Sequence, residues 1–508
     1  MKLNYKRTIF VGFAFFLICA FWQAYDNTIP LILTNKFGLP QAASGVIMAL
    51  DNILALFMLP LFGMISDRCT SRLGRRTPFI LVGTIAAAIL LVGLSFVDNR
   101  QLNAVREVSV PDDPKALSII YEDCADRELM TPEGEHFTLS DRFTQEEFCA
   151  IRSDKDGDAY TQYVVPARQA YAREVTRSSP TTLIVFILVL LLLLISMAVF
   201  RTPAVALMPD VTVKPLRSKA NAVINLMGSA GGILILVLGM VFATSASRNS
   251  MMSYTTYFAV IAGVMLLALA IFLWRVREPK LVKQMHEDSR RYGIEDEAEN
   301  ERSHRKLSRG ERRSLIFLLA SIVLWFMGYN AVTSKYSVYA SNILHKDYNL
   351  TLIIAQAAAI IAYLPVGMIS SKLGRKRTIL VGVAMLTTAF AVACFLREDS
   401  PTLLMNAMFA LAGIGWATIN VNSFPMVVEM CSGGDVGRFT GIYYTASMAA
   451  QTVTPMFSGL LMDRFGMTVL FPYAAVFSGL AIVTMAFVLH GDNKPTAKRG
   501  LEALNVED

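Results

Sequence analysis

Apolar runs of membrane-spanning length, separated by short polar turns, recur along the whole chain. About 20 apolar residues suffice for a helix to cross the hydrocarbon layer of a bilayer. Twelve such runs are predicted, over roughly 8–34, 43–66, 78–97, 180–200, 218–243, 254–274, 314–339, 350–370, 378–396, 402–428, 438–462 and 469–489. Each is continuous and far longer than a strand, and a single segment in lipid must satisfy its own backbone hydrogen bonds, so each is read as a helix. The first run has full span length and no small-residue cleavage site behind it, so it reads as a helix, not a leader. The fold class expected is all-α, twelve transmembrane helices in two repeated six-helix halves.

The halves announce themselves as a repeat. GMISDRCTSRLGRRTPFILVG at Gly63–Gly83 returns, shortened, as GMISSKLGRKRTILVG at Gly367–Gly382. Each copy is a helix end, a tight basic loop and a new apolar run. Parallel repeats of this kind build rocking-type secondary transporters. Sliding by the same offset places Tyr25 on Tyr329, Asp26 on Asn330 and Asp51 on Ala355.

Composition agrees: 54% of the 508 residues are hydrophobic and 17% charged, a balance foreign to soluble domains. With the amino terminus inside, inner loops and termini hold 31 of the 47 Lys and Arg. The long outer segment 98–178 carries 17 acidic against 10 basic residues. Positive charge therefore marks the inner side, and a nucleic-acid partner for the net charge of +7 is not expected. The expected organisation is helices 1–3 over 1–97, an extracytoplasmic insertion over 98–178 and helices 4–6 over 179–275. A cytoplasmic linker at 276–313, a second six-helix half at 314–490 and a cytoplasmic tail at 491–508 follow. The insertion holds Cys124 and Cys149, two thiols on the oxidising side that are candidates for a disulfide. Its run Asp154-Lys-Asp156-Gly-Asp158 lacks the glycine and glutamate a calcium loop needs, Ala159 and Val165 standing there instead. No metal site is expected.

Two acids lie inside predicted spans, Asp26 and Asp51, each followed by an amide, Asn27 and Asn52. An intramembrane carboxylate is expensive and usually faces a cavity, so these four are the candidate cation-coupling group, for a proton or, alternatively, sodium. Candidate substrate contacts are polar and aromatic residues on apolar helices: Trp22, Gln23, Tyr25, Tyr329, Asn330, Tyr336, Trp416, Asn420, Asn422, Tyr444 and Gln451. Amides bond hydroxyls and rings stack on sugar faces, which suits a neutral polyhydroxylated solute; helix-to-helix glue is the competing reading. Lys335 reads as a snorkelling base. The stripe Ser218, Asn221, Asn225, Gly228, Ser229, Gly232 reads as packing surface. At the inner face Asp67, Gly74, Arg75, Arg76, Asp210, Arg217, Gly374, Arg375, Glu429 and Arg438 form a candidate gate linking the halves.

The string SDRCTSRLGRRTPFI at Ser66–Ile80, with RTPAVALMPD and RSKANAVINLMG further on, resembles the major facilitator superfamily. Within it the string is similar to plant sucrose/proton symporters and their animal relatives, which stand with the glycoside–pentoside–hexuronide:cation symporters. The resemblance implies proton-coupled uptake of a glucoside or disaccharide such as sucrose or maltose, with no other cofactor. Unlike the plant symporters, the fourth span has no acid, which moves coupling to Asp26 and Asp51. The expectation is a monomeric, multi-pass plasma-membrane symporter with both termini cytoplasmic. Two alternatives stay open: a proton-driven exporter of amphipathic compounds, and a receptor using the 98–178 insertion. An enzyme is not expected, because no nucleophile–base pair, metal cluster or phosphate loop is present.

Overall fold

The computed structural model describes residues 3–490 apart from 155–156, 214–215, 247–248, 292–306, 429 and 431–435. Among the described residues twelve long helices follow one another in the predicted places. The first six are α1 (Tyr5–Asn35), α2 (Gln41–Asp67), α3 (Thr77–Ala104), α4 (Thr181–Val211), α5 (Arg217–Val241) and α6 (Thr255–Arg275). The second six are α7 (Arg309–Tyr339), α8 (Tyr348–Leu373), α9 (Arg375–Ala393), α10 (Thr402–Val428), α11 (Val436–Phe465) and α12 (Leu470–Ala486). Ten are long and apolar enough to cross a membrane. The other two are α8, whose apolar stretch is the shorter Tyr348–Tyr363, and α11, which carries Gln451, Thr452 and Thr454 mid-helix.

Local signals set the helix ends. Asn4 caps α1, accepting from the Arg7 amide at 3.1 Å. Ser308 and Glu311 form a capping box at the start of α7, each side chain satisfying the other's backbone amide. The repeated loop glycines Gly74 (φ +112°) and Gly374 (φ +91°) take backbone angles that L side chains rarely adopt. That is why both copies of the basic loop need glycine at this point.

Burial divides the chain into two main cores, one built from residues between Val11 and Val276, the other from Leu315 to Val488 together with Leu31. The 98–178 segment adds a smaller core around Leu117, Ile120, Phe148, Tyr160 and Val164. It consists of short helices, chiefly Pro114–Cys124 and Val165–Ser178, and an antiparallel pair, Leu129–Met130 with His136–Phe137. Cys124 and Cys149 are both free, which corrects the disulfide expectation. The Cys124 sulfur is buried against the Ala167 carbonyl (3.5 Å), and the ring of Phe148 packs on Tyr121 between the two helices concerned.

Two spans depart from expectation. The fourth is expected to end at Phe200, yet α4 runs eleven residues further to Val211, about 16 Å of helix. Lys335 does not snorkel: it is fully buried and donates to the Gln41 carbonyl at 2.7 Å. The linker begins with an amphipathic helix, Glu278–Arg291. The rest of it to 306, and the tail from 491, lie outside the described residues.

Candidate functional site

Two adjoining cavities lie where the two cores meet. The larger, about 400 Å³, is lined from α1 by Gln23, Asp26 and Asn27, and from the second six helices by Tyr329, Asn330, Tyr336, Gln356 and Trp416. The smaller, about 190 Å³, is lined by Trp22, Asp26, Asp51, Asn52, Arg201 and Gln451, with Asn330 and Thr333 shared between the two. A few hundred Å³ is the usual size of a small-molecule site.

The helices bring the coupling candidates together. Asp26 opens on both cavities, and Asp51, from the neighbouring α2, faces the smaller one. The Asn52 amide donates to Asp51 at 2.8 Å. Asn27 lines the larger cavity, on the other side of Asp26. Arg201, which sequence reasoning had assigned to an inner loop, completes the cluster and lies over the Trp22 ring at 5.3 Å. Two carboxylates and one guanidinium thus share one wall.

The opposite wall is aromatic and amide. Tyr329 and Trp416 stack face to face, centroids 3.6 Å apart and rings 2° from parallel. Tyr336 reaches the cavity while its hydroxyl is bonded to Thr351 at 2.6 Å. Two buried polar atoms here lack a hydrogen-bond partner, Trp22 Nε1 and Gln356 Oε1. The orphaned donor belongs to the smaller cavity and the orphaned acceptor to the larger, and each is a group that a solute hydroxyl would satisfy.

Other candidates stand elsewhere. Tyr25 is buried in the first core against Phe21 and Trp22, ring centroids 6.1 and 5.4 Å away. The Asn422 amide is spent on the Thr418 carbonyl one turn back (2.9 Å). Asn420 acts at one remove, bonded to Tyr363, which itself lines the larger cavity. Tyr444 packs on Tyr443 and Phe424, outside both cavities. Ser229 lines the larger cavity, so the small-residue stripe of α5 is not packing surface alone. Gln356, Tyr363, Thr333 and Ser334 carry no distinguishing sequence signal: Gln356 and Tyr363 are lone polar residues in apolar runs, and Thr333 and Ser334 are small hydroxyls beside Lys335, none of which sequence can tell from helix glue.

At the loop end the gate candidates of the first half form a network. Asp210 accepts from Arg75 (2.8 Å) and Arg76 (2.8 Å), and Arg76 also binds Asp67 and Ser66 at 2.5 Å. The unforeseen centre is Glu278, 1% exposed, whose carboxylate accepts from the amides of Arg75, Arg76 and Thr77 and from the Thr77 hydroxyl. It closes the N-terminus of α3, and a Cβ on Gly74 would strike it. Gly374 and Arg375 open α9. Glu429 lies outside the described residues, as do the side chains of Arg217 and Arg438, so the arms expected to cross between halves are not placed.

The family model described as Major Facilitator Superfamily matches residues 172–420 and 338–504, well over half of the chain. The chain belongs to that superfamily. A second model, described as MFS/sugar transport protein, matches residues 10–100. The human proton-associated sugar transporter A is 38% identical over 96 residues, 19% of this chain and 12% of that protein. A sucrose transport protein of Arabidopsis thaliana is 46% identical over 55 residues, 11% of each chain. The chain therefore aligns with only about an eighth of these curated relatives' length. The inward-open xylose transporter XylE of E. coli matches in structure over 99% of both chains at 16% identity, TM-score 0.57. That likeness is one of fold. The protein is an all-α, multi-pass membrane transporter of the superfamily, whose members are transporters and not enzymes.

Proposed function

We propose that this transporter is a proton-coupled sugar symporter working by alternating access, with a disaccharide or glucoside such as sucrose or maltose as substrate. The observation that carries the reading is the composition of the paired cavities. Asp26, Asp51 and Arg201 line the first-half wall; Tyr329, Trp416, Asn330 and Gln356 supply a stacking face and amides on the other. With both carboxylates ionised the cluster is one negative charge in excess, and burying net charge is costly. One bound proton balances it, and a neutral solute adds no charge of its own. Sodium would balance it equally and is the alternative ion. The names of the sugar-transporting relatives support the substrate class.

In this reading the two cores are the rocking halves, 1–97 with 179–275 and 314–490, and the 98–178 segment is an outer appendage. The termini are cytoplasmic, the membrane is the plasma membrane and the working unit is a monomer. Cross-half bonds at the insertion end, Asp463 to Gln41 and Tyr348 to Thr244 among them, support a state closed on the outside. The network around Asp210 and Glu278 is then the inner gate.

The test is Asp51→Asn in proteoliposomes. Uphill sugar accumulation driven by an imposed pH gradient should vanish while sugar-for-sugar exchange persists. Undiminished pH-driven accumulation would refute the assignment, and accumulation abolished by removing sodium would move the coupling to that ion.

A further inference from the structure

At the insertion end the second half grips the first turn of α2 from two sides. The Asp463 carboxylate, from the end of α11, accepts from the Gln41 and Ala42 amides, both at 2.7 Å. Lys335, from α7, donates to the Gln41 carbonyl at 2.7 Å and approaches its side-chain oxygen at 3.4 Å. Pro40 precedes this turn and no side chain of its own segment caps it. The cap of α2 is therefore supplied across the interface of the halves, by an anion placed where a helix N-terminus favours one. The backbones approach closely enough that a Cβ on Gly45 would strike Pro455, and one on Gly459 would strike Gln41.

Asp463 also faces open space. A cavity of about 310 Å³ between the insertion, the α1–α2 turn and the end of α11 is lined by Gln41, Glu128, His136, Arg173 and Asp463. The insertion roofs it and touches both halves, Arg173 donating to the Gly38 carbonyl (2.8 Å) and the Met467 amide to the Pro132 carbonyl (2.6 Å). The charged groups that face Asp463 are thus Lys335 from α7 and Arg173 from the insertion, with Glu128 and His136 across the cavity.

We propose that Asp463 is a second proton site, separate from the central cluster: ionised, it latches the halves shut on the insertion side, and protonated from the roofed cavity, it lets them part. Protonation removes the anion from the α2 terminus and turns an acceptor-only group into one that also donates, facing two amides that only donate. It also removes the negative charge that Asp463 presents to Lys335. Loss of such a cap shifts a two-state balance roughly 5- to 30-fold. The inference rests on the two halves rocking, but not on which groups couple transport or on the nature of the substrate.

The experiment places spin labels at Phe96 and Leu403, exposed positions at the insertion-side ends of α3 and α10, in a cysteine-depleted protein in liposomes without sugar. Pulsed electron–electron distances are read at about pH 8 and pH 3.5, either side of ordinary carboxylate and histidine titration. The long-distance population should grow as pH falls in the parent protein. In Asp463→Asn it should be high at both pH values, and in Lys335→Gln it should be raised yet still respond to pH. If Asp463→Asn does not fold, Asp463→Glu, which keeps a titrating carboxylate, must retain the response. The double variant Asp26→Asn/Asp51→Asn must also retain it, which separates this latch from the central coupling group. A parent-like pH response in Asp463→Asn would overturn the proposal, as would loss of the response in the double variant alone.

Discussion

Removing Glu278 should destabilise the transporter far more than its place one turn beyond a membrane span suggests. Its carboxylate accepts from Arg75 N (2.8 Å), Arg76 N (3.0 Å), Thr77 N (2.8 Å) and Thr77 Oγ1 (2.7 Å). Glu278→Ala removes a charged helix cap, about 1 kcal/mol by itself, and strands at least one buried amide, a further cost of about 1–3 kcal/mol. Arg75 and Arg76 keep their side-chain bonds to Asp210, so the loss is confined to the cap. The total is about 3 kcal/mol, and at ~2–4 °C per kcal/mol, the scale for a cooperative unit the size of the first six-helix half, the melting temperature should fall by roughly 6–12 °C. Glu278→Gln should fall about half as far, because its amide retains one acceptor oxygen but brings donors toward donors. Scanning fluorimetry of the purified proteins in detergent measures both. Glu278→Ala melting within about 2 °C of the parent would show that the loop amides find other acceptors, and the account of the loop would fail.

Other outcomes follow from the same geometry. Arg201→Leu leaves two carboxylates without their cation and uncovers Trp22; sugar uptake should drop at least ~10-fold, with Arg201→Lys recovering part of it because charge returns without the planar fork. Equal uptake in all three proteins would remove Arg201 from the site. Trp416→Ala deletes one partner of the Tyr329 stack and should weaken apparent sugar affinity ~3- to 10-fold, Trp416→Phe restoring most of it in a competition assay. No change in affinity would return the pair to helix packing. In the insertion, burial followed by the charge of Asp123 pushes the Cys124 thiol up to about 12. Maleimide at about pH 7 should therefore modify Cys149 and spare Cys124 until the protein is unfolded, as read by peptide mass spectrometry. Prompt labelling of Cys124 would contradict the buried cap.

Much of the fold was legible because membrane helices leave a one-dimensional trace. The apolar runs reappear as long helices, ten of them apolar enough to cross a membrane among the described residues, and both loop glycines sit at positive φ, where the repeat flags a tight turn. The departures share a cause: in each, a charged residue that sequence assigns to water is held inside the protein. The span prediction leaves Arg201 just beyond a span, in an inner loop, but its guanidinium is held over Trp22 beside two acids, and α4 continues past it. Lys335 reads as snorkelling, but a backbone carbonyl of α2, 294 residues away, accepts a hydrogen bond from it. Glu278 looked like one more charge in a polar linker, and its partners are backbone amides, which carry no sequence signature at all.

The central site was legible to the extent that the repeat constrained it. Counterpart positions of a parallel repeat reach similar depth on opposite halves, so an offset of 304 residues that aligned Asp26 with Asn330 pointed at one shared space, and both line both cavities. Ala355, the counterpart of Asp51, lines the larger one as well. The next pair breaks the symmetry: Tyr25 turns into the first core beside Phe21, while Tyr329 meets Trp416 at the cavity wall. The ring partners of Tyr25, Phe21 and Trp22, stand on its own helix, whereas that of Tyr329, Trp416, stands on α10. A repeat can therefore locate a site through matched positions, but chemistry enters where the halves have diverged. Here divergence put the charges on one wall and the stacking face on the other, and the proposed symport of an ion with a neutral solute requires both.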